Sequence, residues 1–223
     1  MRKAVLLLSG GLDSATAGTL LQSRFRLHAL SFRYGQRHAV EMAAARRVAR
    51  HFGIRDHREV DLDLAAFGGS ALTDRRIAVP NRRRIGKGIP STYVPARNTV
   101  FLSIAAAFAE TIGARDLVVG FNVLDYSGYP DCRPQFLRAF ERVLATGTKS
   151  GAKGARWKIH APLLKLSKAQ IILAAVRARL DLSITHSCYD PDARGRACGA
   201  CDSCVIRRQG FREAGVADPT RYG

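Results

Sequence analysis

The sequence predicts an α/β protein: a doubly wound parallel sheet with helices on both faces and a small metal-binding segment at the C-terminal end. Three observations carry that reading. Short apolar runs alternate with helical patterns along most of the chain, a Gly-rich turn joins the first run to the first helix, and four cysteines cluster near the end. At 223 residues and 47% hydrophobic, the chain fits one compact domain with a substantial core and no second full domain.

Residues 5–8 give the first strand and run into Ser9-Gly10-Gly11-Leu12-Asp13-Ser14, with a helical pattern following without a gap. At such a junction the first helical N–H groups lack intrahelical partners and point outward, so an anion satisfies them at the positive end of the helix dipole. Gly10 and Gly11 let the backbone approach closely or take a positive φ, and Ser9 and Ser14 supply hydroxyls. Asp13 beside a phosphate needs a bridging metal ion or a helix-capping role. The second strand is expected at 27–32 and a helix at 40–52, with Met42, Ala45, Val48 and Ala49 on its buried face. A third strand follows at 57–62.

Residues 65–95 break the rhythm, being rich in Gly, Pro, Ser and Arg, and are expected to form a lid or mobile loop. Beyond Tyr93-Val94-Pro95-Ala96-Arg97-Asn98, either Asn98 or Thr99 is expected to cap an apolar helix reaching about residue 112. Residues 116–120 make the fourth strand, 135–145 a helix and 157–160 the last strand, with a Gly/Lys-rich loop between these last two. Ser167 caps a helix over 168–180. The expected division is a nucleotide-binding domain over 1–185 with the segment 186–223 packed on it. Open α/β sheets bind ligands at the carboxyl ends of their strands, so the segments after strands one, two and four are the expected site walls.

The formal net charge is +18, which invites a nucleic-acid reading. Two stretches, 75–109 and 142–180, carry many basic residues; the first lacks acids up to residue 109 and the second lacks them throughout, so either would surround a polyanionic nucleotide. Aromatic residues are not interleaved with the basic ones as stacking platforms require, and no stable nucleic-acid partner is expected. No run of eighteen apolar residues occurs, and Arg2-Lys3 leads directly into a strand. The expectation is a soluble, cytoplasmic protein without a membrane partner.

Cys188, Cys198, Cys201 and Cys204 form C-x9-C-x2-C-x2-C among Gly, Pro and Asp. Short C-x2-C turns aim both sulfurs at one centre, which suits one structural, tetrahedral zinc ion. An iron–sulfur cluster or a catalytic thiol pair stays open on spacing alone, as does His186 in place of Cys188. Cys132 stands apart and reads either as a small packing residue or as a nucleophile.

The six residues SGGLDS resemble the signature of the PP-loop ATP pyrophosphatases; no Walker A pattern occurs. With SFRYGQRH (31–38), YVPARNTVFLSIA (93–105), DYSGYPDCR (125–133) and CYDPDARGRACGACDSC (188–204), the chain resembles the 7-cyano-7-deazaguanine synthases of queuosine biosynthesis over nearly its whole length. That resemblance implies a PP-loop fold of the adenine-nucleotide alpha-hydrolase-like type. It implies ATP-dependent conversion of 7-carboxy-7-deazaguanine and ammonia to the nitrile, with ATP, Mg2+ and one structural Zn2+ bound. The ATP-binding stretch it implies is Leu8, Ser9, Gly10, Gly11, Leu12, Asp13, Ser14, Ala15, Thr16, Ala17 and Gly18. Asp13, Ser14, Arg97 and Lys168 are the expected catalytic set, Lys168 standing where relatives carry a phosphate-contacting lysine, although Gln170 departs from the more usual acid there.

For the substrate, Asp125 or Asp131 suits the deazaguanine N–H donors, and Tyr34, Tyr126 or Tyr129 a flat ring. Arg97 or Arg133 suits a carboxylate or α-phosphate, and Gln36 completes the expected set. His38 reads equally as a base acting on ammonium and as a cap or surface residue. An alternative is a PP-loop tRNA-modifying enzyme, a thiolase or lysidine-type ligase, supported mainly by net charge; a zinc-stabilised nucleic-acid module without catalysis is a third. The many apolar helices are compatible with a homodimer.

Overall fold

The computed structural model describes residues 1–38, 40–80, 88–124 and 129–223. Five strands, β1 (Arg2–Leu7), β2 (Phe25–Arg33), β3 (His57–Asp61), β4 (Asp116–Val118) and β5 (Lys158–His160), form one sheet in the order β3-β2-β1-β4-β5. Every pairing is parallel; Leu6 of β1 lies opposite Ala29 of β2 on one side and Val118 of β4 on the other.

The central strand shows why the sheet needs cover on both faces. Ala4, Leu6 and Leu8 point into one core with α1 (Leu12–Leu21), α2 (Val40–His51) and α6 (Lys168–Arg177), while Val5 points into the other with α3 (Arg97–Thr111) and α4 (Pro134–Gly147). An apolar run without alternation suits a parallel strand buried on both sides. The chain enters β1 first and later crosses to its other flank at β4, so the segments leaving β1 and β4 diverge and open a crevice at their carboxyl ends.

Ser167 does cap α6, in a reciprocal box: its Oγ accepts from Gln170 N–H and its own N–H donates to Gln170 Oε1. In contrast, α3 starts at Arg97 with no side-chain cap from Asn98 or Thr99; Ala96 before it is left-handed (φ 52°), and the Asn98 N–H donates to Asp131 Oδ2 at 3.1 Å. A carboxylate from a distant loop has replaced the local cap.

In the described parts of the excursion at 65–95, Ala71 N–H donates to Ser91 O, Arg37 donates to the Asp74 and Ile77 carbonyls, and Thr92 pairs with the Tyr129 hydroxyl at 2.7 Å. Its NRRRIGK core, residues 81–87, lies outside the described residues. In the Gly/Lys-rich loop a single turn, α5 (Lys149–Ala152), is capped by Thr148.

The polar C-terminal segment contains a helix that no sequence signal announced, α7 (Asp202–Ala214). It packs on α6, contributes Phe211 to the first core, and approaches so closely that a Cβ on Gly210 would lie 2.3 Å from Lys168 Cγ.

Gly120, just past β4, is pressed on the start of α1, where a Cβ would stand 2.6 Å from Ser14 N. Gly120→Ala should therefore push strand and helix apart and lower stability by about 1–3 kcal/mol in urea titration. An unchanged midpoint would show that the contact has slack.

Candidate active site

The loop between β1 and α1 is held in place by its own hydroxyls. Ser9 Oγ and Ser14 Oγ are 3.0 Å apart, and Ser14 Oγ donates to Gly11 O. The N–H groups of Gly11 and Leu12 meet only long contacts, 3.3 Å to Ser9 Oγ and 3.4 Å to Ser187 Oγ, and α1 has no side-chain cap. Donors so weakly engaged at the positive end of a helix form an anion site. Gly10 (φ 80°) fixes the loop from beneath: a Cβ there would come within 2.4 Å of Ala45 N and 2.7 Å of Glu41 O, so the first turns of α2 lie directly against it.

Opposite the loop, Lys168 at the first position of α6 donates to both oxygens of Asp13, at 2.7 and 2.9 Å. The pair is partly buried and lines the same cavity of about 250 Å3 as Ser9, Ser14 and Gly120. The other end of that cavity is aromatic. Phe32 stacks on Phe101 with ring centroids 4.0 Å apart, and the Arg97 guanidinium lies 5.7 Å from the Tyr34 ring and 5.9 Å from that of Phe101. Asn122 also lines the cavity, its amide donating to the Leu163 and Leu166 carbonyls.

From the C-terminal helix α7, Arg207 reaches the cavity wall. It is only 3% exposed, and donates to Asp218 at 3.1 Å and Thr185 at 2.9 Å, with Ser187 Oγ at 3.5 Å. Ser187 thus stands between this buried cation and the phosphate loop.

The sequence-predicted residues separate into three groups. Leu8, Ser9, Gly11, Leu12, Asp13, Ser14, Tyr34, Arg97, Tyr129 and Lys168 come together around the cavity. Others have different tasks. Ala15, Thr16, Ala17 and Gly18 are buried within the fold and do not line the cavity, and only the first helical turn has free N–H groups. Gln36 braces the turn after β2, its Oε1 accepting from Tyr34 N–H and its amide donating to Phe32 O. Asp131, 6% exposed, is engaged at the start of α3, and Arg133 is exposed at the start of α4; neither lines the cavity. The third group, Asp125 and Tyr126, lies outside the described residues.

Two further expectations resolve differently. Cys132 lines the cavity, but burial pushes its thiol up to about 12 and it accepts from the Asn98 amide, so it is no ready nucleophile. His38 turns toward the Cys188 and Tyr189 backbone and not into the cavity.

Among the cavity residues that sequence reasoning passed over, beside Ser187 and Arg207, is Glu41. A first-turn acid on an amphipathic helix reads as a favourable dipole partner facing solvent, and no local signal distinguishes it. In the structure it lines the cavity, and burial pushes its carboxyl up to about 7 while the Arg97 charge pulls the other way.

The four C-terminal cysteines converge. Their sulfurs all lie within 4.8 Å of one another, with Cys188 to Cys198 at 3.5 Å and Cys198 to Cys204 at 4.0 Å. A tetrahedron with about 2.3 Å metal–sulfur bonds requires edges near these lengths. The N–H groups of Tyr189, Asp190, Cys198 and Cys201 point at the sulfurs, as thiolates require. Among the described residues no disulfide forms, and the cluster can hold a metal ion.

A profile of the family described as "Queuosine biosynthesis protein QueC" matches residues 3–215. The chain belongs to this family. A protein of Methylococcus capsulatus (strain Bath) named 7-cyano-7-deazaguanine synthase is 57% identical over 223 residues, covering 100% of this chain and 99% of that one. One of Anaeromyxobacter sp. (strain Fw109-5) with the same name is 58% identical over 99% of this chain and 96% of its own. Among solved structures, NMN synthetase from Francisella tularensis superposes with a TM-score of 0.53 at 16% identity, over 97% of this chain and 78% of that one, which shows a shared fold. With its family and relatives, this chain is a biosynthetic enzyme. Among the described residues, no helix is long and apolar enough to cross a membrane.

Two outcomes follow from this geometry. An exposed glutamate ionises near pH 4.3, so a folded-state value of about 7 means that stability falls as pH rises from about 4 through 7. Glu41→Gln lacks that loss; its melting temperature relative to the parent should climb over this window and then level off, whereas a constant difference would place Glu41 in water. Stripping metal with a strong thiolate-competing chelator should expose four reactive thiols together and loosen α7, lowering the melting temperature. Thiols that react one by one without thermal effect would contradict a shared site.

Proposed function

We propose that this chain converts 7-carboxy-7-deazaguanine and ammonia to 7-cyano-7-deazaguanine at the expense of ATP, as a carbon–nitrogen ligase. The observation that carries the reading is the phosphate loop: weakly engaged N–H donors at the start of α1 open into the same cavity as Lys168, Arg97 and a wall of aromatic rings. Full-length similarity to proteins named for this product supports the choice of substrate.

A carboxylate is a poor electrophile, so one of its oxygens must first become a phosphate-linked leaving group. The loop from Ser9 to Ser14 retains the departing pyrophosphate, with Ser14 and Lys168 adding donors. Asp13 and Lys168 neutralise each other across the loop; Asp13 would hold the Mg2+ that accompanies the nucleotide, and Lys168 would meet the phosphate oxygens. Arg97, beside Tyr34 at the aromatic end, meets the α-phosphate or the substrate carboxylate. Tyr34, with Tyr126 from the loop outside the described residues, supplies the flat surface for the deazaguanine, and Asp125 accepts from its N–H groups. Ammonia gives the amide, and a second activation of the amide oxygen followed by elimination gives the nitrile.

Cys188, Cys198, Cys201 and Cys204 would hold one structural zinc ion, which would fix the turn into α7 and so the position of Arg207. The nucleotide-binding body is residues 1–185 with 186–223 packed on it. The enzyme works in the cytoplasm on small molecules, with no nucleic-acid or membrane partner, and a homodimer is compatible with its apolar helices.

Pure protein incubated with magnesium ATP, ammonium and 7-carboxy-7-deazaguanine, without tRNA, should yield the nitrile by mass spectrometry. Product that appears only with tRNA, or none from intact metallated protein, would overturn the reading. Lys168→Ala should lower acid-dependent exchange of pyrophosphate into ATP by about a hundredfold or more. Exchange at the parent rate would remove Lys168 from the phosphate site.

A further inference from the structure

We propose that Glu41 is the group that takes up the proton shed by the attacking ammonia nitrogen, a role that rests on the function proposed above. Three observations converge on it. Asp13 and Glu41 are the only carboxylates among the described residues lining the cavity, and Asp13 is engaged by Lys168. Glu41 makes no hydrogen bond or ion pair with any described residue, although it is half-buried and faces a half-open, partly aromatic space. Its place is fixed, because its carbonyl lies only 2.7 Å from where a Gly10 Cβ would stand, so the first turn of α2 cannot shift without moving the phosphate loop.

The other titratable groups are poorly suited to the task. Asp131 is spent on the start of α3, Cys132 keeps its proton, and His38 faces the Cys188 and Tyr189 backbone. The groups that face Glu41 are Arg97 from α3 and Tyr34 after β2; His186, Lys168, Asp13 and Arg207 lie further round the same wall. Arg97 is the charge that keeps the carboxylate accessible at this half-buried place. A carboxyl titrating at about 7 is matched to accept and release a proton at working pH.

The step balances without a further reagent. The ammonia lone pair forms the C–N bond at the activated carboxyl carbon, the C–O bond to the phosphate breaks, and its electron pair leaves on AMP. The nitrogen, positive on bonding, gives one proton to the Glu41 carboxylate, and the product is the neutral amide. Activation of the acid itself needs no base, since the attacking carboxylate is already ionised.

That separation supplies the test. Parent protein, Glu41→Gln and Glu41→Asp are each assayed for acid-dependent pyrophosphate exchange, for amide and nitrile from ammonia, and for hydroxamate from hydroxylamine, a less basic nitrogen that sheds its proton to water readily. Glu41→Gln should keep exchange within about threefold of the parent and keep most hydroxamate formation, yet form amide at least about a hundredfold more slowly. Glu41→Asp should recover part of that loss. In the parent, kcat/KM for free ammonia should fall as pH drops through about 7, and in Glu41→Gln this fall should vanish. Parent-like amide formation by Glu41→Gln would overturn the inference, as would equal losses of exchange, hydroxamate and amide, which mark a merely structural role. Absence of exchange in the parent would instead overturn the underlying function, and the inference with it.

Discussion

Gly10 lies so tightly beneath α2 that a Cβ would reach within 2.4 Å of Ala45 N, and Gly120 lies so tightly above α1 that one would reach within 2.6 Å of Ser14 N. The phosphate loop is therefore clamped between α2 on one side and the end of β4 on the other. From that clamp the rest follows: the first N–H groups of α1 aim at the crevice where the sheet changes direction, Glu41 is carried to its edge, and Asp13 is held within reach of Lys168. Backbone held this rigidly needs little reorganisation when charge develops, which is the condition for strong electrostatic stabilisation.

The C-terminal segment serves the same site from behind. The cysteine cluster runs into α7, Cys201 standing at the helix N-cap and Cys204 in its first turn, and α7 brings Phe211 to the core and Arg207 to the wall behind Ser187. Gly210 lets α7 press on the stem of Lys168 itself. A metal bound by those thiolates is thus connected, through one helix, to both the cation behind the loop and the cation across it, without touching either.

Much of this was legible in the sequence because the signals are local. A strand, a Gly-rich turn and a helix are contiguous, four cysteines declare their spacing, and the apolar faces of α2 and α6 repeat at helical period. What escaped depends on partners far along the chain. Asp131 caps a helix that starts more than thirty residues earlier, so the acid reads locally as a ligand and the helix as capped by Asn98 or Thr99. The helix α7 is polar overall, its buried face made of Cys204, Arg207, Gly210 and Phe211, and carries no apolar stripe. Residues 65–80 look like an unstructured tract until Arg37 and Ser91 supply their carbonyl and N–H partners. Glu41 is the clearest case: its identity is ordinary for a helix start, and only the glycine beneath it turns it toward a cavity.

The central claim is that the turn joining β1 to α1, shaped by the missing side chain at Gly10, grips a nucleoside triphosphate. Calorimetric titration of metallated protein with magnesium ATP tests it most directly. The account expects saturable binding at one site in the parent and its loss in folded Gly10→Ala; no heat of binding in the parent, or undiminished affinity in the variant, would contradict it.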